Sequence, residues 1–408
     1  MELSYGAKTV QLDVEGDDRY EVLFPDERSG VEDEIGEVGR ALDEPIGTSL
    51  FDLGGCKSAS IMVSDITRPA PSSKMLPPLI ERLKVIGIDD IKIVFGLGTH
   101  RRMTSKEEKK LIGDCISFPH VQHDKTRCVF LGETKRGTPV EIFEEVVATD
   151  IKIGTGNIEY HYYAGYSGGA KAVLPGVSSE RSINKNHAMM TDPLARSGSL
   201  DSPVRLDMEE AAGIVGLDFI LNAVLNSKKE IVRAVAGDYV KAHRVGAKDV
   251  DQMYKKTVKP AKIVIACAGG RPKDINLYQA HKAMDNAKEA VLPGGTMILL
   301  AECAEGLGDA VFSRWAKEAA CPEDCVDRFG REYEFGGHKA ALIAKESLEK
   351  NLILVSKLPR EMAEMCFFRH ASSLEDALKM ARDQQGEDSK VLVMPYGGLT
   401  LATSEYSV

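Results

Sequence analysis

Ile91-Lys92-Ile93-Val94-Phe95-Gly96-Leu97-Gly98-Thr99-His100 reads as an apolar strand that runs into a glycine turn, with a helix expected from Ser105. The glycines allow a sharp reversal at the strand end, which delivers His100 there. The same strand–turn–helix unit recurs on either side. Residues 60–64 read as a short strand, and residues 77–83 as a helix with proline tolerated in its first turn. Residues 151–153 read as a strand entering a loop. A second block begins near Lys262, with a strand over 263–267, Gly269-Gly270, a helix over about 277–291 and a strand over 297–300. Further strands are expected over 352–355 and 391–394. Strands alternating with helices define an α/β protein of two domains, each a mostly parallel sheet flanked by helices, with the active site expected in the cleft between them. The polar stretch 251–259 reads as a linker, which divides the chain into 1–258 and 259–408. The final segment, 395–408, is expected to pack back on the first domain.

The composition is ordinary for a globular chain of 408 residues, with 43% hydrophobic and 28% charged residues. Only 6% of residues are aromatic and the net charge is −10, which argues against a nucleic-acid partner. No run is long and apolar enough for a membrane span, and residues 1–10 lack a signal-peptide core, so a cytoplasmic location is expected. The eight cysteines are scattered; Cys321 and Cys325 form the one close pair and have no matching second pair. Reduced thiols are the expected state, with neither a zinc site nor a disulfide framework.

Ligands in such sheets sit at the carboxyl ends of strands, and most reactive-looking residues fall there. Asp65-Ile66-Thr67-Arg68-Pro69 combines a carboxylate, a hydroxyl and a guanidinium suited to an anion, although a capping turn with a surface ion pair is the alternative. His100, followed by Arg101-Arg102, is a proton carrier or a structural histidine. The segment from Gly154 to Lys171 is rich in glycine and donors, and invites comparison with a phosphate loop. Ala170 stands where that motif needs glycine, and Ala172 where it needs a magnesium-binding hydroxyl. What remains is a donor-rich loop delivering Lys171, a candidate nucleophile or a surface lysine. His187 is a candidate metal ligand or a structural residue. His120 and His123 read as loop residues. Gln279 and Lys282 share a face near a helix start and suit an anion, or simply form an exposed face. Gly306 and Gly308, and Gly397-Gly398, are further glycine loops of lower specificity.

Taken together, and in this order, the motifs resemble the lactate racemase family, whose members use a nickel-pincer nucleotide. The resemblance rests on Asp65-x-Thr67-Arg68-Pro69, Gly96-x-Gly98-Thr99-His100, His161 followed by Ala164-Gly165-Tyr166-Ser167-Gly168-Gly169-Ala170-Lys171, then His187, and Tyr278-Gln279-x-x-Lys282. It runs through nearly the whole chain. It implies a cofactor, the Ni(II)-pyridinium-3,5-bisthiocarboxylic acid mononucleotide, attached covalently to Lys171 and ligated through nickel by His187. Asp65, Ile66, Thr67 and Arg68 match the cofactor-binding turn, and His100 and His161 match the acid/base pair. Arg68, Tyr278, Gln279 and Lys282 match substrate-positioning residues. The first domain would then bind cofactor and carry the catalysis, and the second would position substrate. The implied reaction is racemisation or epimerisation of a 2-hydroxy acid, lactate or a relative, by proton-coupled hydride transfer. The implied partners are that substrate and the cofactor-biosynthesis enzymes, with no membrane. Two rivals are a phosphate- or nucleotide-binding enzyme without nickel, which the failed phosphate-loop match opposes, and a non-catalytic cofactor carrier, which would need no histidine pair.

Overall fold

Six strands form the sheet of the unit Glu27–Met253 in the computed structural model, which describes residues 1–406. Their order is Ile231–Gly237, Phe219–Leu225, Ile151–Ile158, Ser58–Ser64, Asp90–Gly96 and His120–Gln122. Five run parallel, and Ile231–Gly237 pairs antiparallel with Phe219–Leu225 at one edge. The central strands are apolar on both faces; in Ser58–Ser64 every residue from Ala59 to Val63 is buried. That continuous burial marks a parallel sheet covered on both sides. His120–Gln122 is an edge strand, not the loop expected for His120, and His123 directly after it is buried. Pairing with Asp90–Gly96 supplies the strand with hydrogen bonds that no local sequence signal announces.

The helix expected from residue 77 starts at Ser72, so Pro77 and Pro78 lie inside it and not in its first turn. Two backbone donors are lost. Burial of Met75, Leu76, Leu79, Ile80 and Leu83 along one stripe outweighs that loss.

The other unit joins Met1–Asp26 to the chain from Tyr254 onward. Its sheet has the order Arg369–Ala371, Asn351–Val355, Val291–Leu300, Ala261–Cys267, Val391–Met394 and Tyr20–Val22, all parallel. The α/β class of two mostly parallel sheets flanked by helices is therefore as expected. The division of the chain differs. The first 26 residues belong with the C-terminal part, because Tyr20–Val22 adds to the edge strand Val391–Met394 and Leu3 and Leu12 are buried against that sheet. The polar stretch 251–259 is not a linker: the helix Lys241–Tyr254 passes straight into the strand Lys255–Val258. That strand pairs with Leu401–Ser404, so the final segment packs on residues 255–258, which belong to the C-terminal unit; its residues 407 and 408 lie outside the described residues. The helix expected over 277–291 ends at Ala287, and Val291 already begins the next strand. Among the described residues no helix is long and apolar enough to cross a membrane.

Candidate active site

In the Glu27–Met253 unit the chain proceeds from Ser58–Ser64 outward to Asp90–Gly96 and His120–Gln122, then returns to the other side as Ile151–Ile158. The direction of winding thus reverses between Ser58–Ser64 and Ile151–Ile158. At such a reversal the loops leaving the two carboxyl ends part, and a ligand crevice opens. The loop starting at Asp65, the turn carrying His100 and the loop starting at Glu159 all leave this edge of the sheet.

Asp65 and His100 form a pair. The Asp65 carboxylate accepts from Nδ1 of His100 at 2.9 Å and from the Thr67 N–H at 2.8 Å. Burial pushes its pKa upward, but the hydrogen bond and charge of His100 and the bonds from Thr67 prevail and hold it at about 2. With Nδ1–H directed at Asp65, Nε2 of His100 carries the lone pair. That atom lies 3.5 Å from Nη2 of the exposed Arg68. The Ile66 N–H points to Sδ of Met103 at 3.3 Å. Asp65 therefore orients His100, a role beyond the cofactor contact expected of it.

His161 closes a two-residue-strand hairpin in register with Gly165. Its ring stacks on Tyr162 at 5.2 Å between centroids and meets the ring of Tyr163 edge-on at 4.4 Å. The loop from His161 to Lys171 is held largely through its main chain. The guanidinium of Arg205, with no exposed surface, donates to the carbonyls of Ala164 at 3.3 Å, Gly168 at 3.1 Å and Tyr166. His243 donates from Nε2 to Ser167 O at 2.8 Å, Ser202 to Tyr163 O at 2.5 Å, and the Gly169 N–H to Asn222 at 2.7 Å. The hydroxyls of Tyr160 and Tyr166 both donate to Asp251, at 2.9 and 2.7 Å. Burial lowers the Arg205 pKa to about 10, so it keeps its charge at neutral pH. Replacing Arg205 by methionine leaves the Tyr166 carbonyl without its donor, while those of Ala164 and Gly168 keep only the N–H groups of Tyr166 and Lys171. The expected cost is about 3 kcal/mol or more, read as a lower midpoint in denaturant; an unchanged midpoint would remove Arg205 from this role.

Lys171 lies on the single turn Gly169–Ala172. A Cβ on Gly154 would come within 2.9 Å of the Ala172 Cβ, so glycine there lets this turn sit directly on the strand. Farther along, the carbonyl of Gly176 accepts from the Gly98 N–H at 3.0 Å, and a Cβ on Gly96 would lie 3.2 Å from that oxygen. The Lys171 and His100 segments are thereby packed backbone to backbone.

His187 ends the helix Glu180–His187 and is 4% exposed. Among the described residues neither of its ring nitrogens makes a hydrogen bond of ordinary geometry, although the main chain of Ile183, one turn back, lies close enough to act on the ring. Burial first, and then the charge of Lys171, depress its pKa to about 3, so the ring is neutral. It meets Tyr163 edge-on at 5.0 Å, so His161 and His187 flank the same tyrosine ring. The fold thus gathers Asp65, Arg68 and His100 in one cluster and His161, Lys171 and His187 in another, on segments in mutual contact. Sequence reasoning missed Arg205, Asn222, His243 and Asp251, which hold the loop; none belongs to a motif.

Tyr278, Gln279 and Lys282 belong to the other unit, on the first turns of the helix Leu277–Ala287. Asn276 caps that helix by accepting the Gln279 N–H at 3.0 Å. Tyr278 meets Phe312 and His338 edge-on at 6.5 and 6.2 Å. The winding of this sheet reverses between Ala261–Cys267 and Val391–Met394. There the loops after both strands touch, because a Cβ on Gly398 would lie 2.8 Å from Ala268 O.

A parallel-sheet enzyme with an Asp–His pair and a neighbouring lysine and histidine at one switch point is the class these features define. The lactate racemase N-terminal domain model matches residues 5–198, and the lactate racemase C-terminal domain model matches residues 256–401. The lactate racemase of Thermoanaerobacterium thermosaccharolyticum is 35% identical over 97% of either chain. That of Lactiplantibacillus plantarum is 30% identical over 97% of this chain and 98% of its own. The structure of the Thermoanaerobacterium thermosaccharolyticum lactate racemase apoprotein superposes with a TM-score of 0.93 at 34% identity, covering 98% of this chain and 99% of that one. A Thermotoga maritima protein shares the fold at a TM-score of 0.67 and 19% identity, covering 94% of this chain and all of its own. The chain belongs to the lactate racemase family, and so to the isomerases.

Proposed function

We propose that the protein racemises or epimerises a 2-hydroxy acid, lactate or a close relative, with a nickel-pincer nucleotide held by Lys171 and His187. It would work in the cytoplasm and be loaded there by the cofactor-biosynthesis enzymes. The observation that carries this reading is His187. A buried, neutral imidazole whose nitrogens make no hydrogen bond of ordinary geometry costs stability; with the Ile183 main chain beside the ring, at least one nitrogen is left for an incoming Ni(II) ion. The neighbouring Lys171 amine, near enough for its charge to act on His187, fits a covalent arm; the Asp65–Arg68 turn would hold the remainder.

When bound, the group supplies a reversible acceptor for the Cα hydride, and the rest is the work of the chain. His100, its Nδ1–H fixed by Asp65, takes the substrate hydroxyl proton at Nε2. His161 does the same for the opposite enantiomer. Arg68, Tyr278, Gln279 and Lys282 hold the carboxylate and oxygen while the 2-keto acid turns over, and the proton then returns to the same oxygen. The test is a panel of enantiopure 2-hydroxy acids given to protein produced together with the cofactor-making enzymes, with bound nickel measured in parallel. Nickel-loaded protein that racemises none of them would sink the proposal.

A further inference from the structure

Lys339 plays no part in the reaction described so far, and its surroundings are unusual for a lysine. It has no exposed surface and sits in the first turn of the helix Gly337–Glu349, where the helix dipole disfavours a cation. Its Nζ is 3.0 Å from Nδ1 of His281 and 5.2 Å from the centre of the Tyr278 ring. Tyr278, His281 and Lys282 share one face of the Leu277–Ala287 helix through their spacing of three and four. The ionisable groups around Lys339 are His281, Lys282, Asp285 and Lys288 from that helix, with His338 beside it and Tyr333 before it. Asp285 is already engaged by Lys288 at 2.7 Å. Burial lowers the Lys339 pKa, Asp285 opposes this, and the charges of Lys282 and Lys288 lower it further, to about 7. Methionine would fill the same space without the desolvation cost, so packing alone does not account for an amine here.

We propose that Lys339 is a positioning residue for the substrate: through His281 and the Tyr278 ring it fixes the face that carries Lys282, and its charge joins that of Lys282 to select a carboxylate over a neutral group. The proposal rests on reading Tyr278, Gln279 and Lys282 as substrate-positioning residues. A carboxylate docked at Lys282 strengthens the hold of Lys339 on its proton. Conversely, as pH climbs through about 7, Lys339 loses its charge and carboxylate binding weakens.

The experiment uses nickel-loaded protein with L-lactate as substrate and two inhibitors: 2-hydroxyisobutyrate, an anion with no Cα hydrogen, and neutral lactamide. Lys339→Met is expected to raise KM for lactate and KI for 2-hydroxyisobutyrate about tenfold at about pH 6, with a far smaller change in kcat and in KI for lactamide. In the parent, KI for the anion should rise between about pH 6 and 8 relative to that for lactamide, and in the variant the ratio should stay flat. Parental KM and KI in the variant, or equal weakening of anion and amide, would overturn the proposal, the latter by marking a packing role. Should the variant not fold, the parent decides alone: a flat anion-to-amide ratio overturns the proposal. A nickel-loaded parent that neither racemises lactate nor binds 2-hydroxyisobutyrate refutes the substrate reading itself, and this proposal with it.

Discussion

An apoprotein in which His187 is replaced by leucine is expected to resist denaturant at least as well as its parent at about pH 5, and to retain no nickel. In the parent the imidazole nitrogens are buried without a hydrogen bond of ordinary geometry, at a cost of about 1–3 kcal/mol. Leucine has a similar volume and no polar atoms. The pH adds a second contribution. The unfolded histidine titrates near 6.5, and the folded one is depressed to about 3. Stability is therefore complete above the unfolded value and is lost as pH falls toward 3, because only the unfolded chain takes up the proton. The leucine variant lacks this loss. Denaturant titrations at about pH 5 and 8, with nickel measured after production beside the cofactor-making enzymes, check both halves. A leucine variant with parental nickel content and activity would end the assignment of His187 as metal ligand.

Asp65→Asn is expected to lower kcat per bound nickel about 10³–10⁴-fold, by analogy with other carboxylate–histidine pairs, and to lower the melting temperature by a few degrees through loss of the ionised carboxylate's bonds. An asparagine amide can present N–H to Nδ1 of His100. The ring proton then moves to Nε2, and the atom that should accept the substrate proton already carries one. Since the Asp65 pKa is held at about 2, its charge persists throughout the range in which the enzyme is assayed. The parent's acid limb of activity therefore belongs to other groups. The sign for stability follows: this folded pKa is depressed, so its contribution is present above the unfolded value of about 4 and disappears only as pH falls through about 2. Racemisation rates from both enantiomers decide the matter; half the parental rate in the variant would mean that the carboxylate does not set the tautomer.

The sheets were legible because buried parallel strands are continuous apolar runs, and the run ending at Phe95 is bounded by glycines that nothing else in a helix or strand would favour. The ends of the chain were not. Tyr20–Val22 is three residues long, and its pairing with Val391–Met394 is a contact across most of the sequence. Pro77 and Pro78 disguised the helix start, since local propensity opposes what burial of the stripe from Met75 to Leu83 enforces. Within the site, the order of motifs pointed to His100, His161, Lys171 and His187. The choice between metal ligand and structural residue for His187 was open, because the polar run Asn184-Lys185-Asn186 before it gives no sign that the ring is buried. Arg205 and His243 were invisible for a related reason: charged and polar residues are ordinarily outside, and these two are inside only because loop carbonyls await them.

That manner of holding the loop separates two properties that enzymes often change together. Arg205, Asn222, Ser202 and His243 grip peptide groups between Tyr163 and Gly169, and side chains add to the hold through the Ser167 hydroxyl on Asn157 O and two tyrosine hydroxyls on Asp251. A donor that binds a peptide group holds it whatever side chain that residue carries, so the main-chain share of the grip outlasts substitution along the loop. The backbone that carries Lys171 is thus set by groups outside the loop, whatever residues line the space beside it.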